Sequence, residues 1–202
     1  MLDHILVDLI SRVRAAFDDA LLQRQAVEER FQVDVFLGDV SWETSYSLPG
    51  EEQPPRVRAD ISIDWPTWSQ SIYRSWSIGE PSDDLPEAVM EVTLRQQRLA
   101  KAPDMATMLT VLPEESPAIT GDTLVRSAPV LEQVMGGPDE PSRYAVETTY
   151  QGTMLFEEAT LEDPSRLAEP IAALAQWLAS ILVRLADLDL VYLPPDPDPD
   201  SS

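Results

Sequence analysis

The chain has no cysteine, one histidine and, among 14 basic residues, one lysine, Lys101. Without cysteine there is no disulfide, no thiol nucleophile and no thiolate metal site. A Ser-His-Asp arrangement needs a histidine held in a cleft. The only one, His4, falls in the first turn of an expected terminal helix, where solvation is the ordinary fate. Zinc sites call on cysteines or several histidines, so no metal and no cofactor are expected. Glycine is sparse, seven in 202 residues, and neither GxxxxGK followed by Ser or Thr nor GxGxxG occurs. No EF-hand loop is present; acidic loops such as 81–84 offer at most weak cation contacts. The longest near-apolar run, Ile171 to Val183, contains Gln176 and ends at Arg184. That run is too short and too polar to span a bilayer. The N-terminus, MLDHILVDLISRVRAAF, is amphipathic and acidic rather than leader-like. A cytoplasmic location is the expectation.

What is abundant is negative charge: 36 acidic against 14 basic residues, a net charge of −22. Acidic residues occur along the whole length, so the folded chain should carry a negative field. Such a field keeps a protein soluble and repels nucleic acid and anionic membrane. The partners it suits are proteins, basic ones above all.

The hydrophobic pattern gives the organisation. Leu167, Ile171, Leu174, Leu178, Ile181, Leu185 and Leu188 recur at steps of four and three, which places them on one helical face from Asp163 to Leu190. Asp163 suits an N-cap with Pro164 first in the helix, and Pro170 marks either a kink or the start of the main helix. A similar stripe, Leu2 to Ala20, predicts a helix over about 2–25. Between them the period falls to two. Val33, Val35 and Leu37 give way after Gly38–Asp39 to Val40, Trp42, Tyr46 and Leu48, a phase slip that suits a β-bulge. Val57, Ala59, Ile61, Ile63 and Trp65 alternate cleanly. After Pro66 the set resumes as Trp68, Ile72, Trp76 and Ile78, which completes a three-stranded meander. Leu85, Val89, Val92 and Leu99 keep helical spacing, broken by Gln96, and predict a second helix to about Ala100. A short helix capped by Asp104 should follow. Residues 123–135 read as a strand weakened by Pro129, and 144–156 as the clearest strand of all. LPPDPDPDSS at the end has nothing to pack.

The fold class is therefore α+β: one domain over 1–193, with an acidic Pro/Asp tail over 194–202. An antiparallel sheet of about five strands is flanked by an N-terminal and a long C-terminal helix, in the order α-β-β-β-α-β-β-α. This order, with the acidity, resembles the type III secretion chaperone-like fold shared by YbjN-like proteins. The resemblance implies a small, acidic, cytoplasmic, dimeric binding protein, and it assigns no individual residue.

Two functions follow. Motif by motif the enzyme readings fall away, and the first function is a non-enzymatic protein-binding module, chaperone-like or adaptor-like, with an immunity-type binder as a variant. No catalytic residue is assigned. Its binding surface should lie where tryptophan is concentrated, at Trp42, Trp65, Trp68, Tyr73 and Trp76. It would serve a client or a homodimer, although repulsion between chains of −22 opposes a dimer at low salt. The alternative is a small carboxylate-dependent enzyme or ligand binder with a Trp-rich pocket, using Glu43, Asp60 or Asp64.

Overall fold

The computed structural model describes residues 27–36, 39–48, 54–80, 83–136 and 142–194, together with Ala15 and Asp19, both helical. The rest of the expected N-terminal helix and the 195–202 tail lie outside the described residues. Strands β1 (Val27–Phe36), β2 (Asp39–Ser47), β3 (Val57–Trp65), β4 (Glu87–Leu99), β5 (Val125–Arg126), β6 (Val130–Val134) and β7 (Arg143–Leu155) form one antiparallel sheet. Its order is β1-β2-β3-β4-β7-β5, and β6 joins the same side of β7 as β5. Helices are α1 (Thr67–Ser77), α2 (Met105–Val111), α3 (Glu158–Glu162) and α4 (Ala168–Ala186), the last preceded by a 3-10 turn over Pro164–Leu167. The class is α+β, as the patterning predicts.

The long helix does what its stripe requires. Ile171, Leu174, Leu178, Ile181 and Leu185 are buried in one core with Val146, Tyr150, Met154 and Phe156 of the β7 region. Trp177 widens the stripe and meets the Tyr150 ring edge-on at 5.0 Å. By length and composition Ser165–Ala186 would pass for a membrane span, a longer stretch than the Ile171–Val183 run. In the fold its apolar stripe is the underside of the sheet's cover. Asp163 caps the 3-10 turn through Ser165, and Asp104 caps α2 through Ala106 and Thr107, both as the sequence signals ask. Pro129 splits the expected 123–135 strand into β5 and β6. Gly152 admits the backbone of the neighbouring segment: a Cβ there would stand 2.7 Å from the Thr123 carbonyl oxygen.

Three elements differ from the patterning. Gly38–Asp39 marks no bulge: β1 and β2 are an antiparallel hairpin with Phe36 paired to Asp39. Cross-strand partners such as Val33↔Trp42 and Val35↔Val40 share a face, so an even-length connection flips the parity of the apolar set. Residues 68–78 are not a third meander strand but helix α1, whose buried Ser69 and Tyr73 and half-buried Trp76 sit at steps of four and three. Trp68, Ile72 and Trp76 are also four apart, a spacing that serves either reading over so short a stretch.

The largest correction is 85–100, which is no helix. Glu87–Leu99 is the central strand β4, paired to β3 on one side and β7 on the other. Ala88, Met90, Val92, Leu94 and Gln96 are buried on alternate positions. Met, Leu, Glu, Arg and Gln favour helix locally, but two flanking strands supply a ladder on both sides, and tertiary pairing overrides that preference.

Candidate functional site

The five aromatics singled out by the sequence do not share a surface. Trp42, Trp65 and Tyr73 belong to the core, at 5% exposure or less. Trp76 is half-buried, and Trp68 alone is open, at 52%. Four aromatic rings form a chain instead. Phe156 stacks on Trp65 at 5.5 Å, Trp65 meets Tyr73 edge-on at 6.0 Å, and Tyr73 lies 5.7 Å from Trp76. The fully buried Ser69 hydroxyl locks this arrangement. It accepts from the Trp65 indole at 3.1 Å and from the Glu87 amide at 2.7 Å, and donates to the Glu87 carbonyl at 2.6 Å. α1 is thereby fixed to the start of β4, and the tryptophan-rich surface shrinks to Trp68, the rim of Trp76 and exposed Ile78.

The carboxylates named for chemistry sit on the other side of the sheet. In register across β2, β3, β4 and β7 run Ser45, Asp60, Thr93 and Thr149; beside them run Ser47, Arg58, Arg95 and Glu147. Arg58 pairs with Asp60 at 2.6 Å, and Ser45 donates to the same carboxylate at 2.6 Å. Arg95 donates to Glu147 at 2.5 Å. That bond, more than any other influence, holds the Arg95 guanidinium above its ordinary pKa. Arg58 and Arg95 would otherwise repel as direct cross-strand neighbours; Arg58 is neutralised by Asp60, two residues along its own strand, and Arg95 by Glu147, its direct partner on β7. Of these, Ser45, Arg58, Asp60, Thr93 and Arg95 line a hollow of about 290 Å³ together with Glu43 and Glu91. It is a polar lattice built around two ion pairs, Arg58–Asp60 and Arg95–Glu147. Asp60 is occupied, Asp64 and Glu43 are exposed, and buried Trp42 and Trp65 face away from all three. A Trp-lined pocket with facing carboxylates at this place is ruled out by the sheet itself. Among the described residues no group of three or more His, Cys, Asp or Glu is placed to hold a metal ion.

The feature that the patterning missed is the edge made by β5 and β6. Both strands pair with β7, β5 near Tyr150 and Gln151, β6 from Arg143 to Glu147. The outer side of β5 is covered: Arg126 N–H donates to the Glu114 carbonyl at 2.9 Å, and Ser116 N–H to the Leu124 carbonyl at 3.0 Å. The outer side of β6 receives no backbone hydrogen bond from any described residue. All five of its residues are exposed, with Val134 at 61% and the following Met135 at 74%. Val130 and Leu131 are exposed as well, and Glu132 is the strand's only charge. Edge strands are normally blunted by charge, proline or a covering segment; among the described residues β5 is covered and β6 is not. The sequence signal was Pro129, which marks an edge, but which side of the sheet stays bare is not written in VLEQV.

Compared with protein-family models, curated proteins and solved structures, the chain matches none.

Proposed function

We propose that this chain is a non-enzymatic protein-binding module, adaptor-like or chaperone-like, that takes an extended segment of its partner by strand addition along β6. The observation that carries the reading is the bare outer edge of Val130–Val134, apolar and exposed, one strand away from a β5 whose edge is covered. In strand addition the main-chain hydrogen bonds of the edge supply affinity, and alternate side chains supply selectivity. Val130, Leu131 and Val134 offer apolar contacts on both faces of such an added strand. The net charge of −22 favours a basic segment over an acidic one. It also disfavours a second copy, which is the other occupant of the same chemistry. The outer-face lattice lends the enzyme alternative little, since Asp60 is held by Arg58 and Glu147 by Arg95.

The test is Val130→Lys/Val134→Lys, which uses the blunting device that natural edges employ. Partners retained by the wild-type chain are identified by mass spectrometry, purified, and titrated against both forms by calorimetry. The variant should keep its melting temperature and bind at least about tenfold more weakly, a loss of ~1.4 kcal/mol. Sedimentation of both forms shows whether the occupant is instead a second copy. A purified partner that binds both forms equally places the contact elsewhere.

A further inference from the structure

At the far end of β7 from β6, a groove opens beside the carboxyl end of α1. Trp76, Leu85, Pro86 and Leu161 give it apolar walls, and Glu80, Asp84 and Glu158 stand with them; the space is about 260 Å³. Its walls are tied to one another. α1 ends in a complete Schellman closure: Gly79, at φ 76°, donates to the Trp76 carbonyl at 3.0 Å, and Glu80 N–H donates to the Ser75 carbonyl at 2.9 Å. This turn delivers Glu80 to the rim. Phe156 N–H donates to the Pro86 carbonyl at 2.9 Å, so the α3 side of the groove is fixed to the segment entering β4. Trp76 itself ends the aromatic chain that runs inward through Tyr73 and Trp65.

We infer that this groove docks an arginine side chain carried on an extended segment of a partner polypeptide. The inference rests on the reading of the chain as a protein-binding module and adds the partner's chemistry. Size argues for a side chain: small-molecule pockets run from roughly 300 to 1,000 Å³, and this one is smaller. Charge names the side chain. Among the described residues no basic side chain lines the groove. Glu80 and Glu158 are exposed, and neither side chain has a hydrogen bond or ion pair. The carbonyl end of α1 adds its partial negative charge at the same place. Shape selects arginine over lysine. A planar guanidinium stacks on an indole face while its edge nitrogens meet carboxylates in pairs, and a compact ammonium does neither as well.

The probe is acetyl-Gly-Arg-Gly-amide, with the neutral citrulline tripeptide as its isostere. Each is titrated into the ¹⁵N-labelled full chain while the indole N–H signals of its five tryptophans are followed. The Trp76 signal, assigned by its loss in Trp76→Phe, should move saturably with the arginine peptide and stay still with the citrulline one. Glu80→Gln/Glu158→Gln should weaken the effect at least about fivefold. Glu114→Gln/Glu169→Gln, which removes the same charge from exposed sites outside the groove, should leave it unchanged. Both substituted acids are exposed, so the fold tolerates the change; unaltered circular dichroism and melting temperature confirm that. Three results overturn the inference: an unmoved Trp76 signal, equal movement with citrulline, or equal weakening by the two double variants. The measurement does not involve β6. A silent groove with an intact β6 effect rejects the arginine site alone, whereas loss of both rejects the module.

Discussion

The side-chain nitrogen of Gln96, on the buried face of β4, donates to the Leu185 carbonyl in the last turn of α4 across 3.1 Å. It also reaches the Tyr192 hydroxyl at 2.8 Å. One buried amide thus joins the central strand, the covering helix and the segment that follows it. Gln96→Ala should cost about 1–3 kcal/mol, because it strips a donor from buried acceptors. Gln96→Met keeps the volume and separates that share from cavity formation. Urea unfolding of both variants reads the difference, and an unchanged midpoint in both would remove Gln96 as the link.

Aromatic and aliphatic positions should divide by burial, not by residue type. Leu178→Ala should cost roughly 2–5 kcal/mol, the range for a fully buried leucine. Trp68→Ala, at a half-exposed position on α1, should stay within about 0.5 kcal/mol. Thermal melts of the pair decide it; a large loss at Trp68 would show that the ring covers core atoms.

The chain end should separate into a tied part and an idle part. Arg98, buried and at φ 63° in the bulge that ends β4, donates to the carbonyls of Pro54 at 3.0 Å and Leu193 at 2.7 Å. Its own carbonyl accepts from Leu193 N–H at 2.7 Å. Deleting 195–202, which holds only Pro, Asp and Ser, should leave the melting temperature unchanged. Arg98→Ala should cost on the order of 1.5–3 kcal/mol for each charged hydrogen bond lost. A Tm drop on deleting 195–202 alone would mean that the tail docks.

Tyr150 gives a pH signature. Burial pushes its hydroxyl from 10.0 up to about 12, and the hydroxyl donates to the Pro113 carbonyl at 2.8 Å. The folded pKa is raised, so this group's stabilising contribution is complete below pH 10 and is lost as pH rises toward about 12. Ultraviolet titration should show one tyrosine ionising last, and Tyr150→Phe should abolish that step and flatten the alkaline loss of stability. A Tyr150 that titrates near the ordinary 10.0 would overturn its placement.

The acidic composition, the α+β class, α4, β7, the Asp104 cap and the Pro129 break were all legible in the sequence. Each depends on composition or on contacts within one turn or one pleat: a stripe at steps of four and three needs a cover, and a thirteen-residue alternation needs a wet and a dry face. Other features depend on residues far apart in the chain. The stretch 87–99 satisfies helix preference locally and becomes a strand because β3 and β7 stand on either side of it. Trp42 and Trp65 lie in the core and Trp68 on the surface, although all three belong to one aromatic-rich stretch. A free edge is the most non-local property of all. Among the described residues VLEQV is bare because the segment at 114–116 closes over β5 and makes no backbone bond to β6, so only the assembled sheet decides which edge is covered.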